Sequence, residues 1–197
     1  MLRLAKLRSF SSYFLQYFLE GIYSIPTCKV DAAPVTRRTM ASDTAQHLSL
    51  YKGSCHCGFI TYTAQLDFTT PKPSMQNAIM TKCNCSICLK SGIVLADPGP
   101  DGFTLLNPPE GMSEYTFNTN RLHHTFCPKC GIHCFITVPS TDKPNELRVL
   151  RVNVLTLDGK ADGTPMDDLR NVKIKYWNGK YNFEGPPAEE PFEGGVW

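Results

Sequence analysis

The sequence predicts a mainly β domain of short strands stapled by metal, and three observations predict it. Eleven Phe, eight Tyr and fifteen Pro beside fourteen Gly favour strands and turns over long helices. Short branched or alternating runs recur between frequent turn residues, the pattern of many short strands. Seven of the nine cysteines fall into three tight clusters: Cys55-His56-Cys57, Cys83-Asn84-Cys85-Ser86-Ile87-Cys88 and Cys127-Pro128-Lys129-Cys130. The 197 residues are enough for one domain with a real core and some additional sequence.

Residues 1–47 read as a leader. Leu2, Leu4, Leu7, Phe10, Phe14 and Phe18 recur at roughly helical spacing, with Arg3, Lys6 and Arg8 near the start and no acid before Glu20. A basic, serine-containing, acid-poor and amphipathic stretch has the signature of a mitochondrial transit peptide. The alternative is a disordered or untranslated leader, with Met40 as a start. The apolar run Tyr13–Leu19 is too short to span a bilayer. The expected compartment is the cytoplasm, with mitochondria as the alternative through residues 1–40. Charge divides along the same line. Residues 1–40 hold six Lys/Arg against two acids, so of the totals of 20 and 18 the remainder keeps 14 basic and 16 acidic groups. A body with no net positive charge argues against a nucleic-acid partner.

The domain is expected over 48–183. Strands are predicted on both flanks of the first cluster, at 48–54 and 59–64, around a Gly-bearing knuckle. A Pro-containing loop at 67–74 leads to strands at 78–81 and 93–96, and the turn 97–102 follows. Further strands are predicted at 103–106 and 113–117; residues 123–126 lead into the third cluster, and 132–138 leave it as a strand. The runs 147–154 and 172–177 alternate as half-buried strands should. Residues 184–197, rich in Pro, Glu and Gly, are expected to lie on the surface as a tail.

The clusters carry the chemistry. Thiols two residues apart are poorly placed to bridge each other, whereas two short loops can converge on one ion. Reduced cysteines of an ordinary cytosolic core are the plainer alternative. Soft thiolate donors suit zinc first, and the spacings match neither common ferredoxin pattern. Two divisions of the seven thiols are open. Cys83, Cys85 and Cys88 wrap one ion from three sides while Cys55, Cys57, Cys127 and Cys130 complete a tetrahedron, or both sites are closed with Cys134 or a nearby histidine as an eighth ligand. His56, His123, His124 and His133 all lie near clusters. Cys28 falls in the leader. A closed zinc site is structural, whereas an open position admits a substrate atom.

Gly53-Ser54-Cys55-His56-Cys57-Gly58, Cys83-Asn84-Cys85-Ser86-Ile87-Cys88 and His124-Thr125-Phe126-Cys127-Pro128-Lys129-Cys130-Gly131 together resemble the glutathione-dependent formaldehyde-activating enzyme (GFA) family, also seen as centromere-protein-V-like domains. The resemblance runs from about Leu50 to about Trp177 and takes in Val152–Gly159. It implies an Mss4-like β fold and two zinc ions per chain. Thiols matching Cys55, Cys57, Cys127 and Cys130 hold the structural zinc in that family, and those matching Cys83, Cys85 and Cys88 the catalytic one. The implied activity is carbon–sulfur lyase chemistry on a small thiol adduct, with formation or cleavage of S-(hydroxymethyl)glutathione from glutathione and formaldehyde as its named instance. A non-catalytic zinc module that binds proteins is the alternative, since the Mss4-like fold serves that role too. His56, His123 and His124 are candidates to move the proton, and Lys82, Lys90 and Arg121 to meet glutathione's carboxylates. No membrane partner is expected, and the oligomeric state is left open.

Overall fold

A computed structural model of the chain describes residues 48–107, 110–141 and 147–193. The leader predicted over 1–47 and Cys28 lie outside them. The described residues are mainly β, with eleven strands in two sheets and a single α-helix.

The smaller sheet is antiparallel and has the order β10-β1-β2-β5. Its strands are β1 (Ser49–Ser54), β2 (Thr61–Leu66), β5 (Phe103–Leu105) and β10 (Leu157–Lys160). Burial in β1 and β2 has period two: Tyr51 and Gly53 face inward from one, Tyr62, Ala64 and Leu66 from the other. The larger sheet has the order β11-β3-β4-β9-β8-β7-β6. It comprises β3 (Met80–Cys83), β4 (Leu95–Ala96), β6 (Ser113–Tyr115), β7 (His123–Phe126), β8 (His133–Pro139), β9 (Leu147–Asn153) and β11 (Ile174–Trp177). β11 runs parallel to β3, and the remaining pairs are antiparallel.

The main core draws on both sheets. Tyr51, Tyr62, Ala64 and Leu66 from the smaller one join Met80, Ala96, Phe135 and Val152 from the larger. Tyr62, Phe103 and Phe135 meet as an aromatic cluster with centroids 4.9–6.0 Å apart. The Tyr62 hydroxyl keeps a partner in Thr156 Oγ1 at 2.7 Å, so its burial leaves no polar group stranded.

Three features differ from the sequence reading. Helix α1 (Ser86–Ser91) lies inside the central cysteine cluster, starting at Cys85 and stopped by Gly92 in the left-handed region at φ 59°. β10 forms in a segment containing Asp158 and Gly159, with a register shift against β1. Alternation in β9 does not send Arg151 to solvent. Arg151 is buried, with Nη1 3.2 Å from Asp97 Oδ2, and it donates to the carbonyls of Leu150 and Ser74 at 2.6 and 2.8 Å. Residues 184–193 are exposed or half-buried and are tied down. Ala188 and Tyr176 exchange backbone hydrogen bonds of 2.8 Å in both directions.

Candidate metal centres and the cavity between strands

Two loops of like construction carry the outer cysteine pairs. The N–H of Cys55 donates to the Ile60 carbonyl at 3.0 Å, and that of Cys127 to the Ile132 carbonyl at 3.0 Å. Gly58 and Gly131 then fold back to donate to the carbonyls of Cys55 and Cys127 at 3.0 and 2.8 Å. Both glycines sit near φ +74° and +73°, where a side chain is strained. Each loop is therefore a knuckle whose backbone turns around its own sulfurs.

The knuckles meet. The Sγ atoms of Cys55, Cys57, Cys127 and Cys130 all lie within 4.8 Å of one another. Cys57 stands 3.7 Å from Cys55 and 3.6 Å from Cys127. Four thiolates about 2.3 Å from a tetrahedral zinc would be ~3.8 Å apart, so the donor set fits such an ion. Backbone donors favour the thiolate form. Burial acts to raise the Cys55 thiol, but the Ile60 N–H at 3.2 Å helps hold it below its ordinary value. Cys130 falls to about 6, chiefly through the N–H of Ile132.

The second group is Cys83, Cys85 and Cys88, also within 4.8 Å. Cys83 ends β3, and Cys85 caps α1. One helical turn then brings Cys88 back over Cys85, since positions i and i+3 share a face. The three thiols cannot all ionise on their own. Hydrogen bonds from Cys83 and Cys88 pull Cys85 far down, and the same close contacts push Cys83 and Cys88 up. Three crowded, mutually opposed thiols are the arrangement a cation resolves. Either group could hold a metal ion. Among the described residues no further His, Cys, Asp or Glu joins the triplet.

The other candidates separate clearly. Cys134 belongs to neither group. It is fully buried in the core, where burial pushes its thiol up to about 12, and its sulfur is not among those of either group. The eight described cysteines are free thiols. His56 is exposed, and His123 Nδ1 lies 3.0 Å from Glu114. His124 differs from both. It is buried, and neither ring nitrogen has a hydrogen-bond partner. Its ring stacks on Phe117 and meets His133 edge-on at 5.0 Å. Burial lowers its pKa, so the imidazole is neutral near pH 7.

The triplet and His124 share one cavity of about 450 Å³. Strand register explains why. Trp177 pairs with Cys83, Thr81 with Leu95, Ile136 with Arg151 and His124 with Ile136. Directly opposed residues project to the same face, so one face of the larger sheet becomes the cavity floor. Lys82, Lys90 and Arg121 do not line it. Sequence reasoning missed three contributors. Trp177 presents a buried Nε1 with no partner. Gly179 approaches so closely that a Cβ there would lie 2.4 Å from Cys83 Sγ. Asn84, between two cysteines of the triplet, donates to Asn178 Oδ1 at 2.7 Å and accepts from the Lys180 N–H at 2.8 Å. It thereby fastens the cysteine loop to the turn after β11. The Asn178-Gly179 pair marks a turn in the sequence, but nothing local says what that turn touches.

No helix among the described residues is long and apolar enough to cross a membrane. A model of the family described as "Glutathione-dependent formaldehyde-activating enzyme" matches residues 50–170, more than half of the chain. A crystal structure of a Rhodobacter sphaeroides protein from a structural genomics programme is similar at 27% identity. That match covers 62% of this chain and 98% of that one, with a TM-score of 0.44.

Proposed function

We propose, on the premise that the chain belongs to the glutathione-dependent formaldehyde-activating enzyme family, that it is a zinc-dependent carbon–sulfur lyase acting on a thiol adduct. The family name points to glutathione and formaldehyde as the thiol and the aldehyde, hence to forming or cleaving S-(hydroxymethyl)glutathione. One observation carries the reading: three thiols, with no fourth His, Cys, Asp or Glu donor among the described residues, line the same cavity as a buried histidine with both nitrogens unpartnered. We assign Cys55, Cys57, Cys127 and Cys130 to a structural zinc and Cys83, Cys85 and Cys88 to a catalytic one, within a domain over 48–183.

Cys83, Cys85 and Cys88 would hold a zinc ion, whose Lewis acidity would favour the thiolate form of a substrate thiol. The protein's own groups handle the rest. In addition, the sulfur joins the carbonyl carbon and the oxygen takes up the proton that the thiol has lost; cleavage reverses both events. His124, neutral and with one donor and one acceptor nitrogen, is suited to carry that proton. Trp177 lines the same cavity, and its buried, unpartnered Nε1–H would serve the oxygen as a donor once a side-chain shift exposes it. Free thiols suit a reducing compartment, which favours the cytoplasm, with mitochondria as the alternative.

Cysteine variants test the division. Cys127→Ser should sharply reduce soluble protein, because metal binding at a closed site is folding free energy. Cys85→Ser should keep the circular dichroism of the parent, lose one zinc of two and abolish adduct formation measured by NMR. Cobalt spectra showing both sites saturated by protein sulfur would overturn the catalytic assignment in favour of a non-catalytic zinc module that binds proteins.

A further inference from the structure

The cavity beside the triplet is built for more than a one-carbon unit. Its volume is about 450 Å³, whereas a hydroxymethyl group fills roughly the space of two waters, ~60 Å³. Its walls are mainly hydrocarbon: Leu95, Phe117, Leu122, Ile136 and Phe183 surround the space left by the sulfurs, His124 and Trp177, and the uncharged polar side chains of Thr81, Asn118, Thr119 and Asn182 complete the lining. Among the described lining residues Arg151 is the only Asp, Glu, Lys or Arg. Its guanidinium is already engaged by Asp97 and two carbonyls, and it has little to offer a further carboxylate. A tripeptide thiol carries two carboxylates and an ammonium group. Burying them against these walls without partners would cost several kcal/mol for each ion. Carbon is what this surface accepts.

We propose that the adduct taken by this site is that of a thiol with an apolar aldehyde of several carbons, whose hydrocarbon part fills the cavity while the ionic body of the thiol stays at the rim. The proposal rests on the lyase reading of the triplet and names the substrate class that reading leaves open. The reaction is R–CHO plus R′–SH giving R–CH(OH)–S–R′. A carbon–sulfur bond forms as the carbonyl π bond opens, and the thiol proton ends on the new hydroxyl. No oxidant or reductant is involved. Two lining residues, His124 and Trp177, carry buried nitrogens without partners that suit the single hydroxyl of that product, and the mainly apolar wall meets carbon with carbon.

Stable thioether analogues of the adduct provide the test. Calorimetry on the zinc-loaded full chain would measure binding of S-methyl-, S-propyl-, S-hexyl- and S-benzylglutathione. Each added methylene should tighten Kd about fourfold until the cavity is filled, so that hexyl binds more than about 100-fold tighter than methyl. The benzyl arm shows whether an aromatic group is accepted as well. Leu122→Trp, placing bulk in the cavity from a partly exposed position, should bring the hexyl affinity back toward the methyl value. Affinity that does not change along the series would overturn the proposal. Cleavage of the hydroxymethyl and 1-hydroxyhexyl adducts is read in parallel. Tight hexyl binding without cleavage of any adduct sinks the lyase reading and leaves the cavity's preference standing. Cleavage of the hydroxymethyl adduct with a flat binding series does the opposite.

Discussion

At Gly179 the molecule gives up a side chain so that backbone can reach the thiol triplet. A methyl group there would lie 2.4 Å from Cys83 Sγ and 3.0 Å from Cys85 Cβ, well inside van der Waals contact. Gly179→Ala must therefore displace the sulfurs or the turn, a strain of about 1–3 kcal/mol. We expect the zinc content of this variant to fall from two per chain toward one while its far-ultraviolet circular dichroism stays that of the parent. Two zincs retained would show that the loop yields without losing its ligand geometry. Residue-scale legibility was uneven for a physical reason. The cysteine clusters announced themselves because thiols that converge from one loop keep a fixed local spacing. His124 stood among three equivalent histidine candidates, and only burial and cavity position separate it from His56 and His123. Gly179 and Trp177 lie more than ninety residues from Cys83, and no local pattern joins them.

At the scale of elements, alternation in the sequence marked the strands well and the helix not at all. Ser86–Ser91 is a turn and a half, too short for a 3.6-residue repeat to declare itself. β10 was missed because Asp158 and Gly159 are poor strand formers, and pairing with β1 overrides that preference. The predicted alternation of β9 concealed a buried charge, since Arg151 reads as the polar half of a half-buried strand until Asp97 is placed against it. Asp97 is itself held by the Ser74 hydroxyl and accepts from the Gly99 N–H at 2.7 Å, so the turn after β4 locks onto β9. Removing one partner leaves an uncompensated buried ion. Asp97→Ala should lower the stability of the zinc-loaded protein by about 3–5 kcal/mol in urea unfolding. Replacing both charges, as Asp97→Ala with Arg151→Met, should recover much of that loss, and a double variant as unstable as the single one would contradict the pairing.

Across the whole molecule, the two groups of thiols relate to the chain in different ways. The four-cysteine group joins a knuckle at 55–57 to one at 127–130, with Cys57 and Cys127 seventy positions apart. The triplet is complete within the span 83–88. That difference in reach has a consequence for birth on the ribosome. At ~5–20 residues per second, Cys57 waits some 4–14 s for Cys127 to be synthesised, while Cys83, Cys85 and Cys88 follow one another in about a second or less. Chains arrested after residue 120 should bind one equivalent of zinc and the finished chain two; equal loading of both would contradict this order. The three thiols of the triplet thus leave the ribosome together, before the second pair of the four-cysteine group has been made.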